Sequence, residues 1–103
     1  MAAQLLAMYG APTDPTAFEQ HYHGTHIPLA KRMPGLRSYS VSKGPVSAGD
    51  GKPPYFLVAV LEFDSMEAIG AAVASPEGQA AVADIPNFAT GGATVLTYET
   101  EIV

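Results

Sequence analysis

Residues 55–61, Tyr55-Phe56-Leu57-Val58-Ala59-Val60-Leu61, run without a single polar side chain. A short segment rich in aromatic and β-branched residues reads as a strand, and Pro53-Pro54 before it and Asp64 after it bound that strand at 55–63. A strand with one wet face alternates apolar and polar residues, so one with no alternation asks for cover on both faces. The rest of the chain must supply that cover.

Working outward, residues 4–9 read as a strand closed by Gly10-Ala11-Pro12, residues 36–43 as a second strand and residues 93–102 as the last. Asp14-Pro15 opens a helix between the first two: aspartate accepts from the orphan amides, and proline at the first position gives up no hydrogen bond. Phe18, Tyr22, His26, Leu29 and Met33 recur along it at helical spacing as one stripe, and Pro34-Gly35 ends it. A long loop spans Gly44 to Pro54. Asp64 followed by Glu67 reads as a capping box with aspartate as the cap, opening a helix to about Ala74; Ser75-Pro76 restarts it to about Asp84. A loop, Pro86 to Gly92, leads to the last strand.

The order β-α-β-β-α-β is that of a ferredoxin-like α+β domain: a four-stranded antiparallel sheet with its helices on one face. Two helices cover one face only. The second face of strand 55–63 is most simply covered by the same sheet of a second copy, so a homodimer is expected. A central strand with a tolerated apolar patch is the alternative.

The length, 103 residues, suits one domain over 1–103. A net charge of −5 argues against a nucleic-acid partner, which needs a basic stripe, and 48% apolar with 15% charged residues excludes a disordered composition. The chain has no cysteine, which removes disulfides, thiolate metal sites and a cysteine nucleophile. Residues 1–8 carry no Lys or Arg, and no apolar run approaches the roughly eighteen residues of a membrane span, so a cytoplasmic protein without membrane contact is expected.

The segment with most chemistry is His21-Tyr22-His23-Gly24-Thr25-His26-Ile27-Pro28-Leu29. On a regular helix, at about 100° per residue, His21 and His23 lie about 200° apart and cannot share an ion. Glu19, His23 and His26 could converge as a two-histidine, one-carboxylate set. Such sets usually draw on separate elements, however, and Glu19 with His23 is an ordinary surface pair, so no metal site is expected. His26 lies on the apolar stripe with Tyr22 one turn away, which suits an acid–base pair and equally suits a structural histidine. Pro28 denies the Gly24 carbonyl its helical partner, so the helix is disturbed between His23 and His26. That disturbance could aim His26 into a cavity or be a plain kink. Tyr9 and Tyr39 are placed to line the same helix–sheet cleft, and Phe88 to form a movable wall. No nucleophile elbow, Walker loop or dinucleotide fingerprint is present.

Ala17-Phe18-Glu19-Gln20-His21-Tyr22, Thr25-His26-Ile27-Pro28-Leu29-Ala30 and Met33-Pro34-Gly35-Leu36 with Tyr39 resemble the EthD family. Ser75-Pro76-Glu77-Gly78-Gln79 and Asn87-Phe88-Ala89-Thr90-Gly91-Gly92 are similar to its short bacterial members, often labelled reductases, although no nicotinamide or flavin fingerprint accompanies the label here. The resemblance implies a dimeric α+β barrel, whose relatives include cofactor-free monooxygenases, muconolactone isomerases, polyketide cyclases and haem-degrading enzymes. It implies a site in the helix–sheet cleft of each subunit, without a cofactor, for a small hydrophobic cyclic or aromatic molecule of a degradation or biosynthetic pathway. His26 and Tyr22 would be the catalytic pair, and Tyr9, Phe18, Leu29, Tyr39 and Phe88 would contact the substrate. A non-catalytic auxiliary or ligand carrier beside an oxygenase, and a haem or iron relative binding through His23 or His26, are the other readings.

Overall fold

The two inner strands set the position of everything else. In the computed structural model, which describes residues 2–51 and 53–103, β1 (Ala3–Tyr9) pairs antiparallel with β3 (Leu57–Phe63) from Ala3 opposite Phe63 to Tyr9 opposite Leu57. Met1, at the head of the segment read for targeting, and Lys52, within the Gly44–Pro54 loop, lie outside the described residues. The short β2 (Ser38–Val41) flanks β3 and β4 (Ala93–Glu99) flanks β1, giving the antiparallel order β2-β3-β1-β4. The ferredoxin-like expectation therefore holds, with β1 starting one residue earlier than expected, β2 shortened by two residues at each end, β3 by two at its start and β4 by three at its end. Isolated bonds continue past them: Arg37 N–H to Glu62 O, Ser42 N–H to Val58 O, Phe56 N–H to Tyr9 O and Thr100 N–H to Ala2 O.

Register sorts the side chains. Ala3, Ala7 and Tyr9 of β1 and Leu57, Ala59, Leu61 and Phe63 of β3 are buried on one face, beneath the helices. The opposite face carries Leu6 with its cross-strand neighbours Val60 and Leu96, and Met8 with Val58 and Thr94. These remain half-exposed or exposed, Leu96 at 48%. The absence of alternation in 55–61 thus corresponds to an apolar row on the second sheet face, on which no helix of the described residues packs.

The first helical segment comprises α1 (Pro15–His21), a wide π turn (Tyr22–His26) and α2 (Ile27–Ala30). Asp14 caps it through its side chain to Ala17 N–H, 3.1 Å, as expected. The second segment is α3 (Met66–Ala74) followed by α4 (Pro76–Asp84) and a short 3₁₀ turn (Ile85–Asn87). The cap of α3 differs from expectation. Ser65, not Asp64, accepts from Ala68 N–H at 3.1 Å, while Asp64 is an exposed partner of Arg37 at 3.2 Å. Serine wins because the helix starts one residue later, at Met66, which puts Ser65 in the extended cap conformation.

Two backbone approaches require glycine. A Cβ on Gly10 would meet the Gly91 carbonyl, and one on Gly91 the backbone of Ala11, so the loop carrying Phe88 is drawn tightly over the end of β1. Gly10 N–H also bonds Gly92 O at 3.0 Å. Gly10→Ala should lose about 1–3 kcal/mol by overpacking. Gly70→Ala, in an exposed mid-helix position with open space, should gain about 0.5–1 kcal/mol. Urea unfolding of both variants checks the contrast, and equal effects would contradict it.

Candidate functional site

A regular helix would set His21 and His26 about 140° apart. The π turn changes that: Ile27 N–H bonds the Tyr22 carbonyl, five residues back, and the extra residue in the turn brings both imidazoles to one side. Pro28 stands in the first turn of α2, where its missing N–H is tolerated. The disturbance read from Gly24 and Pro28 is therefore a widening rather than a kink. Beyond it, Ala30 is fully buried where Leu29 was expected, and Leu29 is only partly buried.

Both rings reach the same carboxylate. His21 Nε2 lies 2.8 Å from Asp84 Oδ1, and His26 Nδ1 lies 3.1 Å from Asp84 Oδ2. The Asn87 side-chain amide donates to Oδ1 at 3.0 Å. Asp84 ends α4 and is buried, as is His26. Burial alone would raise the Asp84 carboxyl, but hydrogen bonds from Asn87, His21 and His26 outweigh it and hold the group below its ordinary value. For His26 the balance is reversed: burial pulls its affinity for a proton down, and the Asp84 hydrogen bond and charge only partly restore it. The resting pair is thus a carboxylate and a neutral imidazole. The carboxylate only accepts, so His26 Nδ1 carries the proton and Nε2 keeps its lone pair.

Aromatic rings fix this imidazole. Tyr22 stacks on it at 5.4 Å and 25°, and Phe88 tilts over it at 4.7 Å and 58°. Phe88 also stacks on His21 at 5.6 Å and contacts Tyr9, Phe18 and Tyr22. His26 in turn forms part of the wall of an apolar cavity of about 70 Å³ between sheet and helices, with Tyr9, Met33, Tyr39, Leu61 and Ile85 among its neighbours. Among the described residues, no Lys, Arg, Asp or Glu lines it. Its rim includes Val82 and Val95, which are exposed. A larger cleft, about 530 Å³, lies beneath the Gly44–Pro54 loop beside Glu19 and Phe56. It holds none of the expected site residues, so its size does not make it the chemical centre.

Tyr22 OH and Tyr39 OH are 2.6 Å apart. Tyr39 lines the cavity, whereas Tyr22 is fully buried behind it. Burial raises both phenols, and the hydrogen bond between them eases Tyr39 only in part, so both stay protonated; either hydroxyl can be the donor. With Tyr22 as donor, the Tyr39 proton is free for the cavity.

Of the residues singled out in the sequence, His26, Tyr9 and Tyr39 meet at the cavity wall. Tyr22, Phe18 and Phe88 form the aromatic layer behind them; Phe18 and Phe88 also border a separate hollow of about 90 Å³ near Thr13. Leu29 lines none of these spaces. Glu19, His23 and His26 do not converge, since Glu19 and His23 pair at the surface, 3.0 Å apart, and His26 turns inward. Among the described residues no three His, Asp or Glu side chains form a metal-holding set. Sequence reasoning missed Asp84 and His21. The Gly24–Pro28 pair signalled where the helix would widen, but nothing in the sequence signalled that the end of α4 lies beneath that turn.

An EthD domain model matches residues 11–92. An uncharacterized 11.0 kDa protein of the thcB–thcC intergenic region of Rhodococcus erythropolis is 42% identical over 97 residues, covering 93% of this chain and 92% of that protein. The crystal structure of an ethyl tert-butyl ether D (EthD) family protein of Bacillus halodurans superposes with a TM-score of 0.89 at 33% identity, covering 98% of this chain and all of the other. Two more distant structures share the fold. One is a dimeric ferredoxin-like protein of Thermobifida fusca (TM-score 0.72, 17% identity, 97% and 92% covered). The other is SnoaB of Streptomyces nogalater, described as a cofactor-independent oxygenase (TM-score 0.69, 14% identity, 99% and 95% covered).

Two outcomes follow. Asp84→Ala leaves a buried imidazole N–H and the Asn87 amide without their acceptor and should cost about 2–3 kcal/mol in urea unfolding, so an unchanged midpoint would contradict the pairing. The unfolded chain takes up a proton at its ordinary histidine value, 6.5, where folded His26 resists one. The His26 contribution to stability should therefore fall as pH drops through and below that value, so that the wild type loses more stability on acidification than His26→Gln does; a wild type that loses less has the wrong sign.

Proposed function

Because the chain belongs to the EthD family, we propose that it is a small cytoplasmic homodimer that binds a neutral hydrophobic cyclic or aromatic compound in the helix–sheet cleft and transforms it by acid–base chemistry without a cofactor. The observation that carries this reading is the buried Asp84–His26 pair at the wall of an apolar cavity that, among the described residues, no Lys, Arg, Asp or Glu lines.

His26 Nε2 is the base. It takes a proton from a carbon or hydroxyl activated by a neighbouring carbonyl, and the imidazolium so formed is stabilised by the Asp84 carboxylate on Nδ1–H. The Tyr39 hydroxyl, polarised by Tyr22, donates to the oxygen on which negative charge develops. Return of the proton to another atom completes an isomerisation, and its delivery from the His26 imidazolium to a departing hydroxyl, which leaves as water, completes a dehydration. A cofactor-free oxidation would add dioxygen to the same carbanion, and the fold shared with SnoaB is compatible with that branch. The dry wall strengthens each of these interactions. At about 70 Å³ the cavity is smaller than the roughly 150 Å³ void known to admit benzene, so a ring compound enters with part of its body projecting past Val82 and Val95.

The second copy belongs on the uncovered sheet face, where Leu6, Val60 and Leu96 form an apolar row. The Thermobifida fusca protein of the same fold is described as dimeric, which supports a homodimer. Native mass spectrometry should give twice the 10.7 kDa chain mass, and Val60→Lys should give the single mass with the fold retained; a monomeric wild type would defeat the face-to-face arrangement.

The chemistry is tested with β-tetralone, a neutral enolisable ketone, in D₂O. The protein should speed α-hydrogen exchange, and His26→Gln should reduce the protein-dependent rate by about 10²-fold or more. Binding without accelerated exchange would favour a ligand carrier, and exchange indifferent to His26 would remove it from the base role.

A further inference from the structure

Asp84 is bonded to two imidazoles that face different media. The His21 side chain is 31% exposed, whereas those of His26 and Asp84 are each 6% exposed. The buried carboxylate carries one negative charge, and a single proton on either ring neutralises the cluster. Which ring takes it decides whether the cavity keeps its base.

We infer that His21 is the proton-holding partner of this cluster: on acidification it is the ring that charges against Asp84, and His26 is thereby kept as the free base. This deepens the acid–base reading above and rests on it. Three observations carry the inference. Water reaches His21 and lowers the cost of charging it, while His26 is enclosed by Tyr22 and Phe88. The His21 contact with Asp84 is the shorter, 2.8 Å against 3.1 Å. Once His21 is an imidazolium, its like charge across the shared carboxylate opposes a second proton on His26.

The groups around the cluster leave little else to respond. Asn87 and Phe88, beyond α4, present an amide and a ring, and Tyr22 presents its ring to His26. Tyr9 from β1 and Tyr39 from β2 are phenols that burial keeps protonated. Glu19 is engaged with His23 at the surface. The coupling is therefore confined to His21, Asp84 and His26. His21 does not touch the cavity; it acts through Asp84 on the ring that does.

The test is an NMR titration of the His26 imidazole in the wild type, His21→Gln and His21→Phe, with no ligand present. Glutamine can donate an amide N–H to Asp84 Oδ1 but cannot carry a proton, so it keeps the clasp and removes the competition. Phenylalanine can keep the stack on Phe88 and removes both. In each variant the His26 titration should move up by about one pH unit, because Asp84 then has only His26 to neutralise it. A shift in His21→Phe but not in His21→Gln would make His21 a strut for the carboxylate and overturn the inference, as would a downward shift. If His21→Phe does not fold, His21→Gln alone decides. The titration uses no ketone, so its failure is separable from failure of the exchange assay in His26→Gln.

Discussion

One carboxylate is reached by two imidazoles because the first helix takes one extra residue into a turn. The Ile27 N–H to Tyr22 carbonyl bond defines that turn, and it places His21 and His26 on a common side above the end of α4. A regular helix through the same residues would send one of the rings elsewhere. Asp84 would then be a buried carboxylate with a single imidazole and an amide, a costlier arrangement. The local backbone irregularity and the buried charge are thus parts of one arrangement, each making the other tolerable.

The sheet and the aromatic layer complete that arrangement from below. Small residues on the helix-facing side, Ala3, Ala7 and Ala59, leave space between sheet and helix, and part of it remains open as the cavity beside His26 and Tyr39. The tight crossing of Gly10 and Gly91 holds Phe88 over both imidazoles, so water is kept from His26 while His21 stays at the edge. The Tyr22–Tyr39 hydroxyl pair brings a polarised donor to the same wall. Imidazole, carboxylate and phenol therefore come from separate elements: the wide turn, the end of α4 and strand β2.

The fold was almost entirely legible in the sequence, because it depends on local signals. Asp14-Pro15 and Ser75-Pro76 mark helix starts, the glycine and proline pairs mark turns, and the unalternating run at 55–61 marks an inner strand with two apolar faces. Where local reading failed, the competing residue was one position away, as when Ser65 displaced Asp64 as the cap. The site was legible by halves. His26, Tyr9 and Tyr39 could be placed from periodicity, since each lies on a face that the pattern defines. Asp84 could not, because its pairing with His21 and His26 spans about sixty residues of chain and depends on how the two helical segments pack. A widened turn is likewise invisible to a periodicity that assumes one helical pitch throughout, and on a regular pitch His21 and His26 do not share a side.

The central claim is that burial keeps His26 a neutral imidazole and that Asp84 fixes its proton on Nδ1, which leaves a bare Nε2. A long-range ¹H–¹⁵N correlation spectrum of the wild-type histidine rings at neutral pH reads this directly. The account predicts a protonated Nδ1 and an unprotonated, pyridine-type Nε2 for His26. A proton on Nε2, with or without one on Nδ1, would contradict it.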